Sequence, residues 1–189
     1  MATQVISQLP IHRLDVDTYN DIVESGALDG QPVELLEGLI VDMMSPQSVS
    51  HAEVIEALTD HFASADARVR VQLPFRVPPD SMPEPDIALL AETAPRGRHP
   101  SEAVLVVEVA VSSLDIDRGA KAELYARAGV PTYWLVDVQA GTVEVRTDPR
   151  QDGYRQLEVY GSGSHVRSSV PGVADLDVAA LFDGIGAER

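Results

Sequence analysis

Apolar and polar positions along the chain change period several times, and each change marks an element. "LDVDTYNDIVESG" has helical spacing, with Asp15 or Asp17 to cap it and Gly26 to stop it. "PVELLEGLIVDMMS" alternates, and Glu37-Gly38 in its middle predicts two short strands joined by a turn. In "SPQSVSHAEVIEALTDHFASA" the residues Val54, Leu58 and Phe62, with Ile55 beside them, form a helical stripe behind an N-cap at Ser48 or Ser50. "RVRVQLPFRV" and "DIALL" predict strands, and "AETAPRGRHPSEA" after them predicts a loop. "VLVVEVAV" is apolar on both faces, as a central strand is. "SLDIDRGAKAELYARAG" predicts a helix stopped at Gly129. "PTYWLVDV", "GTVEVRTD" and "GYRQLEVY" predict three more strands, and "PGVADLDVAALF" a short closing helix. The order implies an α/β protein, a mixed central sheet flanked by helices.

One residue breaks the pattern. Glu108 sits inside "VLVVEVAV", where an unpaired carboxylate is costly. Asp86 opens the earlier run "DIALL", directly after Pro85. Adjacent strands would bring the two acids within a few ångströms, where they repel unless a cation lies between them. A hard divalent ion resolves that, since oxygen ligands suit Mg²⁺ or Mn²⁺. A structural ion pair between Glu108 and a buried Lys or Arg resolves it equally. On the helix that follows, Asp117, Lys121 and Tyr125 recur every fourth residue. The helix can lean over the end of the Glu108 strand and deliver the Lys121 ammonium, or Asp117 and Lys121 can form a solvated surface pair. Glu34 alternates with hydrophobes in "VELLEGLIV", and His51 opens a helix. No zinc spacing, phosphate-binding glycine loop or nucleophile elbow is present.

Composition narrows the setting. The 189 residues fit a single domain, 1–189, with its core at about 15–182. The chain has no cysteine, no apolar run near the roughly 20 residues that span a bilayer, and no signal-peptide pattern at its start. It is expected to be cytoplasmic, with no membrane partner. The net charge of −16, from 14 basic and 30 acidic residues, opposes nucleic-acid binding. Basic residues do gather locally at Arg68, Arg70 and Arg76, and again at Arg96, Arg98 and His99.

Together "VELLEGLIVDMMSPQSVSH", "EPDIALL", "VLVVEVAVSS" and "DRGAKAELYARAGVPTYWLVDV" resemble the Uma-type restriction endonuclease family, a branch of the PD-(D/E)xK nuclease superfamily. The resemblance implies a restriction-endonuclease-like core and a Mg²⁺-dependent DNA endonuclease, with Mn²⁺ as a substitute ion. It implies that Asp86 and Glu108, with the backbone carbonyl of Val109, hold the metal. Glu34 matches the acid before the core, placed to position a second ion or a water. His51 matches a recurrent histidine. The superfamily's usual lysine position, two residues after the second acid, holds Ala110 here, and the resemblance moves that role to Lys121. A catalytically inactive nuclease-fold module for binding or assembly is the alternative. Cleavage of both strands of a duplex implies a homodimer, with "GTVEVRTD" and "GYRQLEVY" as candidate contact strands.

Overall fold

The structure is a computed structural model, and it describes residues 10–43 and 48–185. They divide into two compact units, one drawn from residues 10–43 and 76–83, the other from residues 48–75 and 84–185.

In the smaller unit, α1 (Val16–Glu24) begins at Asp15, whose carboxylate accepts from the Thr18 amide at 2.7 Å. The strands β1 (Val33–Leu36) and β2 (Leu39–Asp42) pair antiparallel. Glu37 and Gly38 between them both have positive φ, 48° and 76°, the tight two-residue turn that suits a hairpin's twist. Val16, Tyr19, Leu35 and Met82 form this unit's core.

The larger unit is built on a six-stranded sheet. Its strands are β3 (Ala67–Val71), β4 (Ile87–Ala91), β5 (Leu105–Ala110), β6 (Thr132–Asp137), β7 (Thr142–Arg150) and β8 (Gly153–Tyr160). They lie in chain order across the sheet. Only β5 and β6 run parallel; all other neighbours are antiparallel. A parallel pair needs a crossover. Here it is α3 (Leu114–Ile116), a π-helical turn (Asp117–Lys121) and α4 (Ala122–Arg127), wound without a break. Every residue of β5 and β6 is buried, so both faces of the sheet centre are covered.

On one face, α2 (Val49–His61) lays Val54, Ile55 and Leu58, with Phe62 just beyond its end, against Val107, Val109, Trp134 and Val136. α5 (Val178–Leu181) adds Val178 and Leu181 to the same core. Ser48 caps α2, its hydroxyl accepting from the His51 amide at 3.2 Å. Ser48→Ala is expected to cost about 1 kcal/mol of stability, measured by urea unfolding. Glu108 occupies the opposite face.

The structure departs from the sequence pattern in four places. The strand expected over "RVRVQLPFRV" ends at Val71, because Gln72 turns left-handed (φ 49°) and Pro74 has no N–H for a ladder. The single helix expected after Glu108 contains the π turn. β7 is interior, paired on both sides, so β8 alone forms that sheet edge. The two-residue strands β9 (His165–Val166) and β10 (Leu176–Asp177) are too short to leave a period in the sequence. No described helix is long and apolar enough to cross a membrane.

Candidate active site

Strand register brings the two acids together. Ile87 pairs with Val107 across β4 and β5, so Asp86, one residue before β4, falls opposite Glu108 on the same face. Asp86 is tied to β5, because its Oδ2 accepts from the Val109 amide at 2.8 Å. The His51 Nε2 lies 3.3 Å from that same oxygen, and the Gln72 side-chain amide donates to Oδ1 at 3.4 Å. Gln72 also donates its backbone N–H to the Asp86 carbonyl at 3.0 Å, prolonging the β3–β4 ladder. The hydrogen bond to Asp86 raises the His51 pKa above its ordinary value, against the lowering effect of burial.

Glu108 is 3% exposed. Its Oε1 accepts from the Tyr125 hydroxyl at 2.6 Å and from Lys121 Nζ at 3.2 Å, while Oε2 accepts no hydrogen bond among the described residues. Burial pushes its carboxyl pKa well up. Lys121 pulls the other way, and Asp117 and Asp86 add to the rise. Lys121 is itself only 11% exposed, and its amine lies 3.9 Å from Asp117 Oδ1. The solvated Asp117–Lys121 surface pair is therefore ruled out: Asp117 is 2% exposed and accepts from the Ser113 hydroxyl at 2.5 Å.

The π turn explains how one helical segment delivers these groups. In an α-helix a four-residue step overshoots a turn by roughly 40°. In the wider i→i+5 winding it falls short of one. The step from Asp117 to Lys121 lies in the π turn, and the step from Lys121 to Tyr125 runs into α4. The two offsets oppose, so all three side chains stay over the sheet. Below them Tyr125 packs between the rings of Phe75 (6.2 Å) and Tyr133 (5.4 Å), and the Tyr133 hydroxyl donates to the Asp117 carbonyl at 3.0 Å. Tyr125→Phe keeps the ring and deletes a hydrogen bond to a buried carboxyl oxygen. It is expected to lower stability by about 1.5 kcal/mol, read as a lower urea midpoint at unchanged slope.

The structure thus gathers Asp86, Glu108, Lys121 and His51. Val109 joins through its amide, which Asp86 takes. Glu34 belongs to the smaller unit, buried on β1 opposite Val41. The contact of Gln72 with Asp86 leaves no signal in the sequence. Tyr125 shared the four-residue spacing with Lys121, and that spacing was the available sign of its role. A cleft of about 550 Å³ at the carboxyl ends of β5 and β6 is lined by Val111, Ser112, Leu114, Asp137 and Gln139, and by none of the expected site residues.

The donor set can be weighed against a metal. Among the described residues no three His, Asp or Glu side chains converge to form a complete protein cage. Mg²⁺ does not require one, since it keeps several waters and binds through one or two carboxylates and substrate phosphates. Hard oxygen donors on two facing acids, with Glu108 Oε2 unengaged, fit that mode.

The fold of the chain is shared with a crystallised protein of Anabaena variabilis, described as "a putative nuclease belonging to DUF820", at a TM-score of 0.64 and 17% identity, covering 80% of this chain and 89% of that one. The mixed six-stranded sheet with flanking helices is therefore the fold of that protein as well. Over residues 16–179 the sequence matches the family Uma2, described as "Putative restriction endonuclease", and the chain belongs to that family. No curated protein matches the sequence.

Proposed function

We propose that the chain is a Mg²⁺-dependent DNA endonuclease with a PD-(D/E)xK-type site whose lysine comes from the crossover helix. The observation that carries this reading is Asp86 facing Glu108 across two strands, with the Lys121 amine on Glu108. Asp86 and Glu108, with the Val109 carbonyl, would hold the ion. When bound, Mg²⁺ supplies Lewis-acid polarisation of a phosphodiester and eases ionisation of a bound water. His51 and the Val109 amide orient Asp86. Tyr125 fixes Glu108 Oε1, and Oε2 accepts no hydrogen bond among the described residues. Lys121 holds a positive charge beside the acid pair, where it can steady a water or the charge that builds on phosphate oxygens.

The test is cleavage of supercoiled plasmid with Mg²⁺, with EDTA as control; a purified chain that leaves the plasmid intact in both Mg²⁺ and Mn²⁺ overturns the reading. A second readout does not need turnover. A ligand that binds only the native state raises Tm, by about 2.7 kcal/mol of stability at one hundred times its Kd. Mg²⁺ or Mn²⁺ is expected to raise Tm of the wild type and to leave that of Asp86→Asn unchanged.

A homodimer suits cleavage of both strands. β8 is an edge strand with Leu157 and Val159 exposed at 54% and 59%. A two-fold axis at Leu157 would set two β8 strands antiparallel, with Gln156 opposite Glu158 and no like charges opposed. Sedimentation at micromolar concentration checks it, and a monomer alone rejects it.

A further inference from the structure

Five cations of the larger unit pair with a carboxylate among the described residues. Arg118 and Arg146 flank Glu144 at 2.5 and 2.8 Å, Lys121 meets Glu108, Arg150 meets Asp148, and Arg155 meets Asp152. Arg68, Arg70, Arg96 and Arg98 have none among the described residues, and neither does Arg167, which is distant from them in the chain. In a chain with 30 acids and 14 basic residues, four neighbouring arginines without an acid call for an explanation.

Their placement is specific. Val69 and Val71 of β3 pack into the core beneath α2, so Arg68 and Arg70 project from the other face, the face of Glu108. Arg70 pairs with Ala88, which pairs with Val106. Asp86 and Glu108 lie two residues further along those strands. Arg70 is thus one strand and two residues from Asp86, roughly 8 Å between Cα atoms. Both side chains are half-buried, and what they bond to is uncharged. Arg70 donates to the Pro74 carbonyl, and Arg68 to the carbonyls of Ala94 and Pro95. The Nε of each is buried without a partner. Burial and the nearby Arg68 charge both press the Arg70 pKa down. The two Arg68 bonds also tether the loop that carries Arg96 and Arg98, both exposed, to β3. Arg76, close in sequence, is different: it is paired with Asp17 at 2.7 Å.

We propose that Arg68, Arg70, Arg96 and Arg98 form a track for the phosphodiester backbone of DNA at the β3 edge of the sheet, on the side that bears the Asp86–Glu108 pair. The identity of the ligand rests on the nuclease reading above. Carbonyls satisfy some of the guanidinium N–H groups but leave the charge uncompensated, and phosphate oxygens supply the missing anion in the geometry a guanidinium prefers. The track also reconciles DNA binding with a net charge of −16. Fields are screened over about 8 Å at physiological salt, so acids elsewhere on the surface weigh little on a phosphate held at these arginines.

The test is binding of a fluorescent DNA duplex to the full chain in EDTA, from 50 to 200 mM salt. The slope of log Kobs against log salt is expected to fall by about 1 for Arg70→Gln and by about 2 for Arg96→Gln/Arg98→Gln. The loop pair is exposed, so the double variant keeps the fold even if Arg70→Gln does not. Arg155→Gln, a like change of charge on β8, is expected to leave the slope as it was. An unchanged slope in the loop variant, an equal fall in Arg155→Gln, or a wild-type chain that does not bind duplex overturns the track. Arginine-dependent binding without cleavage in Mg²⁺ upholds the track and overturns the nuclease; cleavage with arginine-independent binding does the reverse.

Discussion

Glu108→Gln is expected to abolish metal-dependent cleavage, a loss on the order of 10³-fold or more, while the protein stays folded and at least as stable without metal. The isostere keeps the volume in a strand where all six residues are buried. Its carbonyl oxygen still accepts from Tyr125 and Lys121, so the two bonds to Oε1 survive. What disappears is a charge in a costly place. Burial, with Asp86 and Asp117 nearby, holds the Glu108 carboxyl well above its ordinary pKa. For an acid raised in this way the folded state disfavours the ionised form, so the penalty is full above the folded pKa, shrinks as pH falls below it, and is gone only below the ordinary carboxyl pKa of the unfolded chain. Glutamine imitates the protonated form at every pH. A Tm equal to or above that of the wild type in EDTA, together with an intact plasmid in Mg²⁺, is the expected pair of results. Wild-type cleavage by this variant would place the site elsewhere. A collapse in Tm would mean that the carboxylate serves as a structural ion pair with Lys121.

The acid pair was legible because each member violates a local rule. Glu108 interrupts an apolar run, and Asp86 follows a proline at the mouth of another. Strand existence was legible for the same reason: β5 and β6 are buried on both faces and read as continuous hydrophobic runs. Register was not. That Asp86 stands opposite Glu108, and that Gln72 stands next to Asp86, depends on pairings between residues far apart in the chain, which no periodicity encodes. The same holds for the Arg118–Glu144–Arg146 cluster, where the crossover meets β7. The π turn is not legible in the sequence because four-residue spacing looks the same whichever winding carries it. Yet that winding keeps Lys121 on the sheet face, where the sequence alone left a solvated surface pair open. The sheet edge was half legible: alternation marked both β7 and β8, but only the sheet order shows which of them is an edge.

Lys121→Met is expected to cut turnover by roughly 10²-fold while metal affinity changes little. In the proposed PD-(D/E)xK-type site Ala110 fills the position of the usual strand lysine, so the reading needs a cation from another element. Lys121 supplies it from the π turn, with Nζ 3.2 Å from Glu108 Oε1 and 11% exposure. Methionine keeps the length and the apolar stem and removes only the ammonium. It also acts on Glu108, because the Lys121 charge lowers the carboxyl pKa against the effect of burial. Without it the carboxyl rises further, and the ionised form needed to bind a cation becomes scarcer. Any loss of metal affinity should therefore recover as pH rises, whereas a loss of turnover caused by the missing ammonium should persist at saturating Mn²⁺ and high pH. Plasmid cleavage at saturating Mn²⁺ across pH 7 to about 9, set beside Mn²⁺ binding on the same preparations, separates the two. Full recovery of turnover at high pH would reduce Lys121 to a group that tunes Glu108. A deficit of about 10²-fold that no pH or metal concentration repairs would identify its charge as part of the chemistry.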